Sequence, residues 1–331
     1  MHMVWPIPKI RYQSLEEIDE KRQVALVTSG PAWEAVKSRL NLPVVWQTEV
    51  TEATVEDWDN LFQDCRGEIV YAVGGGLPID AGKYLAVKKA IPLIGIPTAV
   101  SVDAFMTWAS GIRVEGGVKY IETTIPSELI IDLDVVANAP ARIRAAGLCD
   151  VLSIATGLWD WKFAEECGKT TPETCYDASI ANIAQGILNM SLACAESAGK
   201  GEENGLRKLL DCIALESQLL NIVGHARPEE GSEHYFAYLV ENKIGHGLPH
   251  ADLVCPGILL IAAVQGQDIA PLKSAMKSAH IPLDRIPVDA IIETLYELPE
   301  YSKKHQYLYG IAHVLTWDQV NQLDIPKILD I

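Results

Sequence analysis

From the N-terminus to about residue 135, short apolar runs alternate with amphipathic stretches, and this alternation restricts the fold more than any other feature. Runs rich in β-branched residues predict strands, and the segments between them predict helices. Near-continuous apolar strands separated by helices are typical of a parallel sheet that is covered on both faces. The predicted strands are 24–28, 44–46, 68–73, 92–96 and 129–132, and the predicted helices are 33–40, 55–62 and 78–89.

Two further patterns divide the chain. Residues 112–123 predict a β-hairpin, because two short runs flank the turn sequence Glu115-Gly116-Gly117. After Pro140 the sequence becomes rich in Ala, Leu and Glu with a helical period, broken by Gly and Pro. We therefore expect an α/β domain over residues 1–138 with a mostly parallel sheet, and an all-α domain over residues 139–331. The predicted long helices are 141–165, 174–197, 203–223, 231–243 and 251–265.

The charge of the chain limits its partners. It has 331 residues with 27 Lys plus Arg against 44 Asp plus Glu, a net charge of -17. Such a surface repels nucleic acid phosphates and anionic membranes, so neither is an expected partner. A small anionic ligand stays compatible with this charge, since a few local donors can bind it.

Several absences point to a cytoplasmic protein. No run of about eighteen apolar residues predicts a membrane span. The N-terminus lacks a basic start followed by an apolar run, so no secretory signal is expected. The seven cysteines are scattered without a CxxC pair, a pattern typical of reduced cytosolic thiols.

A glycine turn is the first candidate binding feature. Gly74, Gly75 and Gly76 lie between a predicted strand and a predicted helix. Without Cβ atoms the backbone can approach a ligand closely, and the helix N-terminus offers free N–H groups and a positive dipole. This combination suits the pyrophosphate of a dinucleotide. A tight β–α turn without a ligand is the alternative.

A hydroxyl-rich loop is the second candidate. The segment from Ile96 to Asp103 leaves the end of a predicted strand, where open parallel sheets bind ligands. Thr98 and Ser101 could contact cofactor phosphates, and Asp103 could bind substrate hydroxyls. The alternative is an ordinary loop whose Ser or Asp caps the next helix.

Metal-ligating residue types occur in the helical half, where Asp150, His234 and His250 offer one carboxylate and two imidazoles. Such a set suits Zn²⁺, Fe²⁺ or Ni²⁺ and leaves positions open for a substrate. The spacing matches no short local zinc signature, and a pair of histidines more often caps a helix or packs in a core. Spacing alone therefore predicts no metal site.

Taken in order, these segments resemble the iron-containing alcohol dehydrogenase superfamily, which includes glycerol dehydrogenases, glycerol-1-phosphate dehydrogenases and dehydroquinate synthases. The similarity rests on GGGLPIDAGKYLA (74–86), IPTAVSVDA (96–104), IPSELIIDLDVVANAPARIRAAGLCDVLS (125–153) and RPEEGSEHYFAYLVE (227–241), followed by His250 and Gly257. The patterns RP…GSEH and AP.R…G..D look most like glycerol-1-phosphate dehydrogenases. The resemblance implies a Rossmann-like nucleotide-binding α/β domain followed by an all-α metal-binding domain.

The resemblance also implies roles for individual residues. His246, four residues before His250, could relay a proton, although a surface or core histidine is the alternative. The implied metal ligands are Asp150, His234 and His250; the implied cofactor contacts are Gly74, Gly75, Gly76, Thr98 and Ser101, with Asp80 and Lys83 supporting the glycine loop; the implied substrate contact is Asp103.

The implied activity is that of a metal-dependent NAD(P)-linked dehydrogenase acting on a polyol or polyol phosphate, with sn-glycerol 1-phosphate and dihydroxyacetone phosphate as the preferred pair. Zn²⁺ is the preferred ion, with Fe²⁺ or Ni²⁺ as alternatives, and a homo-oligomer is a further expectation. Glu49, near the end of the second strand, favours NAD over NADP because it would repel a 2′-phosphate. Arg227 and Lys119 are candidate cations for a substrate phosphate.

Two departures keep other activities open. Ser101-Val102-Asp103-Ala104 is closer to the S-T-D-A of glycerol dehydrogenases, and Ala251-Asp252 follows His250 where the superfamily usually has Gly-Glu. A glycerol dehydrogenase-like polyol oxidoreductase is therefore one alternative. A carbocycle-forming lyase like dehydroquinate synthase is another, although the resemblance implies Glu in that branch at the position where this chain has Asp150. A non-catalytic, regulatory relative is the third.

Overall fold

A six-stranded, all-parallel sheet forms the first part of the computed structural model, which describes residues 3–331. Its strands are β1 (Lys9–Tyr12), β2 (Val24–Thr28), β3 (Val44–Glu49), β4 (Ile69–Gly74), β5 (Leu93–Pro97) and, after the hairpin β6 (Ala109–Val114) and β7 (Gly117–Glu122), β8 (Glu128–Ile131). The order across the sheet is β1-β8-β5-β4-β2-β3. Every residue of β2, β4 and β5 is buried, as coverage of both faces requires. The predicted parallel sheet is confirmed.

Three helices connect these strands: α1 (Gly30–Val36), α2 (Val55–Asp64) and α3 (Gly76–Lys89). Thr54 caps the N-terminus of α2, because its side chain accepts a hydrogen bond from the backbone N–H of Asp57. Helix α3 begins at Gly76, two residues before the predicted start, so the glycine turn itself forms the N-terminus of the helix. Helix α1 also begins early, at Gly30, and ends at Val36 before a 3₁₀ turn.

The hairpin β6–β7 joins the sheet to the helical part. Its turn residues Glu115 and Gly116 both have positive φ, at 53° and 77°, the geometry that closes a two-residue hairpin. The Tyr120 hydroxyl lies 3.0 Å from the Tyr238 hydroxyl, and the Tyr307 hydroxyl accepts the backbone N–H of Val118 at 3.2 Å. The predicted hairpin is confirmed, and it packs against helices far along the chain.

Beyond Ile131 the chain is helical. The short helix α4 caps on Asp132, and α10 is apolar and buried along most of its length. This agrees with the predicted all-α part, while a division into domains at 138/139 stays a prediction. The helices are α4 (Leu133–Ala137), α5 (Ala141–Arg144), α6 (Leu148–Glu166), α7 (Ala178–Gly199), α8 (Glu203–Val223), α9 (Ser232–Ile244), α10 (His250–Val264), α11 (Ala270–Ser278), α12 (Val288–Lys304), α13 (Trp317–Asn321) and α14 (Ile325–Leu329).

The predicted helix 141–165 is interrupted, and the break positions the site. The backbone N–H of Val100 donates to the carbonyl of Arg144 at 3.0 Å, and the N–H of Gly147 donates to the carbonyl of Val100 at 2.8 Å. These bonds to the loop after β5 replace bonds that would continue the helix. The start of α6 is therefore held against the carboxyl edge of the sheet.

Helix α7 is the one described helix that is long and apolar enough to cross a membrane, judged by length and composition alone. Ala184, Ile187 and Leu188 on this helix are buried in the common core of the protein. The core helix of a globular protein has the same length and composition, so α7 gives no sign of membrane insertion.

Candidate active site at the carboxyl edge of the sheet

The glycine turn lies beside the hydroxyl-rich loop. Gly74 ends β4 opposite Pro97, which ends β5. Gly74 has a φ of 141°, which favours glycine. A Cβ on Gly75 would lie 3.0 Å from the Ser101 Oγ, and one on Gly76 would lie 3.1 Å from a methyl carbon of Val102. The two candidate cofactor segments are therefore in contact at the edge where open parallel sheets bind ligands.

The N-terminus of α3 is available for an anion. Gly75 is its capping residue and has no side chain to bond the first N–H groups of the helix. Glu49 lies at the same edge, where β3 ends, and its Oε1 accepts the backbone N–H of Gly30 at 2.6 Å. Ser29, next to Gly30, approaches Gly74, so Glu49 is close to the glycine turn. This placement is compatible with a carboxylate near a cofactor ribose.

Asp80 and Lys83 hold the segment after the hydroxyl-rich loop. The Lys83 ammonium is fully buried, 2.8 Å from Asp80 Oδ1, and donates to the carbonyl of Ala104 at 2.9 Å and to the carbonyl of Ala109. Asp80 Oδ2 accepts the backbone N–H of Gly111 at 3.1 Å. These contacts anchor residues 104–111 to α3, whereas the resemblance placed both residues in support of the glycine loop. Contact of either residue with a cofactor stays a prediction.

Asp150, His234 and His250 meet although they are far apart in sequence. Asp150 lies in the first turn of α6, His234 in the first turn of α9, and His250 begins α10. The His250 Nε2 is 3.3 Å from Asp150 Oδ1, and the two imidazole centroids are 5.4 Å apart. The structure therefore brings the implied ligand set together, and its role as a metal site stays a prediction.

The ring of His234 is oriented by its neighbour. Its Nδ1 lies 2.9 Å from Glu233 Oε1, which also accepts the backbone N–H of Gly231 at 2.7 Å. Burial alone would lower the pKa of His234, but the hydrogen bond to Glu233 and the charges of Glu230 and Asp150 raise this pKa to about 9. Glu233 holds a proton on Nδ1, so the neutral ring, once its second proton is lost, would present the Nε2 lone pair to an ion.

Asp103 joins the hydroxyl-rich loop to this cluster. Its backbone N–H donates to Asp150 Oδ2 at 2.8 Å, so the loop fixes the orientation of the Asp150 carboxylate. Burial and the negative charge of Asp150 raise the pKa of the Asp103 carboxyl to about 7. The predicted substrate-binding side chain is therefore adjacent to the predicted metal ligands and can carry a proton near neutral pH.

The other three candidates, a histidine and two cations, differ in exposure and in their partners. The His246 side chain is 59% exposed, with Nδ1 3.5 Å from Glu241 Oε1. Arg227 is buried and donates to the carbonyl of Tyr309 at 2.6 Å, and Lys119 is exposed on β7. Arg113 is the basic residue that lines the cavity containing His250, although sequence reasoning missed it.

Comparisons with known proteins agree with this arrangement. Residues 15–140 match the family model described as iron-containing alcohol dehydrogenase. The chain is 28% identical over 302 residues to a glycerol-1-phosphate dehydrogenase [NAD(P)+] of Methanothrix thermoacetophila, covering 86% of this chain and 84% of the relative. It is 24% identical over 321 residues to the enzyme of that name from Hyperthermus butylicus, covering 93% and 91%.

Solved structures share the fold. Glycerol dehydrogenase from Schizosaccharomyces pombe aligns with a TM-score of 0.65 at 18% identity, covering 93% of this chain and 84% of that one. NADH-dependent butanol dehydrogenase A from Thermotoga maritima aligns with a TM-score of 0.64 at 16% identity, covering 99% and 98%. Residues 15–140 thus match the iron-containing alcohol dehydrogenase family, and nearly the whole chain shares the fold of these two dehydrogenases. The fold class that the sequence predicted is confirmed.

Sequence reasoning missed two buried carboxylates next to the site. Glu229, five residues before His234, forms a group with Asp150 and His234 whose ligand atoms all lie within 4.8 Å of one another. Asp160 on α6 accepts the backbone N–H of Ser232 and that of Ile311, each at 2.9 Å. The only local signal for Glu229 was its place in the RPEEGSEH segment, and nothing local marked Asp160.

We expect Asp160→Ala to destabilise the fold strongly. The change leaves the buried N–H groups of Ser232 and Ile311 without acceptors, at a cost of about 1–3 kcal/mol each. The free energy of unfolding in urea with a chelator present should therefore fall by roughly 2–5 kcal/mol. Glu166→Ala, an exposed carboxylate on the same helix, is the control and should change it by less than about 0.5 kcal/mol. Equal effects of both changes would contradict an anchoring role for Asp160.

Proposed function

We propose that this protein is a metal-dependent, NAD(P)-linked dehydrogenase that interconverts a glycerol-type secondary alcohol and its ketone. The preferred pair is sn-glycerol 1-phosphate and dihydroxyacetone phosphate. The observation that carries the proposal is the convergence of Asp150, His234 and His250 beside Asp103 and the glycine turn. Relatives named glycerol-1-phosphate dehydrogenase [NAD(P)+], aligned over most of the chain, support the same activity.

The residues fit a divalent ion. Two imidazoles and a buried carboxylate supply the mixed nitrogen and oxygen donors that Zn²⁺, Fe²⁺ and Ni²⁺ accept, and Zn²⁺ is the preferred ion. Asp150, His234 and His250 would hold it. When bound there, such an ion supplies a Lewis acid that lowers the pKa of a substrate hydroxyl or polarises a ketone. The Asp150 Oδ1 lies 3.3 Å from the His250 Nε2, a separation that two ligands of one ion can have, and this supports the fit.

The dinucleotide would lie across the glycine turn. Its pyrophosphate would meet the uncapped N-terminus of α3, and Thr98 and Ser101 would line the same edge of the sheet. Glu49 at the end of β3 favours NAD, because its carboxylate repels a 2′-phosphate. NAD(P) supplies the hydride acceptor or donor of the reaction.

Asp103 would orient both the metal ligand Asp150 and the substrate. The Asp103 backbone fixes Asp150, and the Asp103 carboxyl is free to bind a substrate hydroxyl beside the ligand cluster. A carboxyl with a pKa of about 7 can accept or return a hydroxyl proton near neutral pH. His246 could pass that proton to solvent, since its ring is mostly exposed and reaches towards Glu241. Orientation of the substrate against the cofactor is the main contribution of such a site.

The test is a screen for NAD(P)H oxidation with dihydroxyacetone phosphate, dihydroxyacetone and related ketones, after reconstitution with each metal. We expect dihydroxyacetone phosphate to give the highest kcat/KM with NADH and to require the metal. A carbocycle-forming lyase would give no net change in NADH, and a non-catalytic relative would turn over nothing. Either result would reject the proposal. A homo-oligomer and a cytoplasmic location stay predictions.

The second candidate is an enzyme for an uncharged polyol, and the charges around the site favour it. Asp103, Glu229 and Glu230 are carboxylates beside the predicted ligands, and Arg113 in the neighbouring cavity is already bonded to Glu241 at 2.9 and 3.2 Å. A phosphate dianion needs a local cation or oriented N–H groups. Preferred turnover of dihydroxyacetone by the wild type would establish this second candidate.

Arg113 gives the sharpest test of substrate charge. If it exchanges Glu241 for the substrate phosphate, Arg113→Gln should raise KM for dihydroxyacetone phosphate by about tenfold to a hundredfold, the effect of losing a charge-assisted contact. The KM for dihydroxyacetone should change little. Lys119→Gln, an exposed cation on the same hairpin, is the control and should leave both values unchanged. Equal changes for both ketones in Arg113→Gln would show that Arg113 does not recognise phosphate.

A further inference from the structure

Glu229 is a buried carboxylate outside the set of three predicted metal ligands, and its Oε1 accepts the Ser153 hydroxyl at 2.8 Å. It lies in the turn before α9, and its Oε1 is 3.8 Å from the Nε2 of His234. Two ligand atoms bound to one ion at about 2.0–2.2 Å lie about 3.3–3.6 Å apart at the tetrahedral angle, and up to about 3.8 Å apart at the 120° angle found in five-coordinate sites. The separation of Glu229 from His234 therefore falls in the range that a shared ion imposes.

The orientation of His234 points the right nitrogen at Glu229. Since Glu233 takes the Nδ1 side of the ring at 2.9 Å, the Nε2 side faces Glu229 and Asp150. Asp150, Glu229 and His234 form one group of ligand atoms, and Asp150 belongs to a second group that contains His250. Asp150 is thus shared by the group that contains Glu229 and the group that contains His250.

The local charge also calls for a cation. Glu229 is buried, and the carboxylates of Glu216 and Glu230 are close enough to act on it electrostatically. Glu216 is itself buried near Asp103 and Asp150, and its Oε1 has no hydrogen-bond partner among residues 3–331. Buried carboxylates in such numbers are normally paired or coordinate a metal. A divalent ion between Asp150 and Glu229 would supply the missing positive charge.

We propose that Glu229 is a fourth protein ligand, so that the ion is held by two carboxylates and two imidazoles. This inference rests on the proposed metal site and extends it. Four protein ligands would fill a tetrahedral site, so the substrate oxygen would enter as a fifth ligand. Zn²⁺ expanded to five ligands, or Fe²⁺ or Ni²⁺ with five or six, satisfies this requirement.

The experiment compares metal affinity in the full-length wild type, Glu229→Gln, Glu230→Gln and His234→Ala. Affinities for Zn²⁺ and Co²⁺ are measured by competition with a coloured chelator, and the visible bands of bound Co²⁺ report its ligands. Glu230→Gln is the matched control, because Glu230 is a neighbouring buried carboxylate whose Oε1 accepts the Tyr238 hydroxyl at 2.9 Å. We expect Glu229→Gln to weaken the binding of both ions at least about tenfold and to shift the Co²⁺ bands. Glu230→Gln removes a nearby negative charge but no ligand, so it should lose less affinity and keep the wild-type bands.

Thermal unfolding separates a ligand from a structural residue. Without metal, Glu229→Gln should be about as stable as the wild type, because glutamine has the same shape and its amide oxygen can still accept the Ser153 hydroxyl. Zn²⁺ should raise the Tm of Glu229→Gln less than it raises the Tm of the wild type, whereas Glu230→Gln should show nearly the wild-type rise. Wild-type affinity and spectrum in Glu229→Gln, or an equal loss in Glu230→Gln, would overturn the fourth ligand. Wild-type affinity in His234→Ala would instead overturn the metal site itself and the proposed function with it.

Discussion

Replacing His234 by alanine is expected to abolish metal retention and, with it, ketone reduction. The ring contributes one of the three predicted ligands through its Nε2, and the methyl group of alanine offers no atom that could bind an ion. Loss of a residue that merely orients a ligand costs about 10–100-fold in metal affinity, so loss of the ligand itself should cost more. Metal content after dialysis, measured by elemental analysis, and NADH oxidation with dihydroxyacetone phosphate both check this result.

His246→Ala is the matched control for metal content, because it removes a histidine four residues from His250 whose side chain is 59% exposed. This variant should bind the ion as the wild type does. Circular dichroism of His234→Ala should show the helical content of the wild type, since α9 is also anchored by Asp160 through Ser232. Undiminished metal in His234→Ala, with the fold intact, would remove His234 from the ligand set.

The fold was predictable because the pattern of apolar residues in the sequence matches the pattern of buried residues in the structure over long stretches. Strands β2, β4 and β5 are apolar throughout and buried throughout, so their sequences alone mark them as central. Strand β1 was not predicted, because Lys9–Tyr12 is short and alternates exposed with half-buried residues. It is a strand because it pairs with β8, more than a hundred residues away, and no local pattern records such a pairing.

The candidate site likewise contains residues that the local sequence predicts and residues that only tertiary packing brings together. The glycine turn and the hydroxyl-rich loop were found locally, since each follows a strand whose end is visible in the sequence. Asp150, His234 and His250 were implied only by the resemblance, because their spacing has no local meaning until α6, α9 and α10 are packed together. Glu229 and Asp160 were missed, because a carboxylate becomes a ligand or an anchor only through burial that tertiary packing creates.

Gly75→Val is expected to block dinucleotide binding while the protein still folds. Gly75 has a φ of −91° and a ψ of −151°, an extended conformation with negative φ that does not require glycine. The new Cβ would lie 3.0 Å from the Ser101 Oγ, and the methyl groups would occupy the space over the first N–H groups of α3. Losing two charge-assisted hydrogen bonds to the pyrophosphate should weaken NADH more than about a hundredfold in a fluorescence titration.

Gly186→Val serves as the control for this prediction, because Gly186 lies in α7 and a Cβ there would meet no atom within 4 Å. It should bind NADH as the wild type does. Metal affinity should be unchanged in both variants, since the glycine turn contributes no side chain to the Asp150 cluster. A Gly75→Val protein that is folded, holds its metal and binds NADH with wild-type affinity would show that the pyrophosphate does not lie on this turn. The cofactor would then have to be sought elsewhere along the carboxyl edge of the sheet.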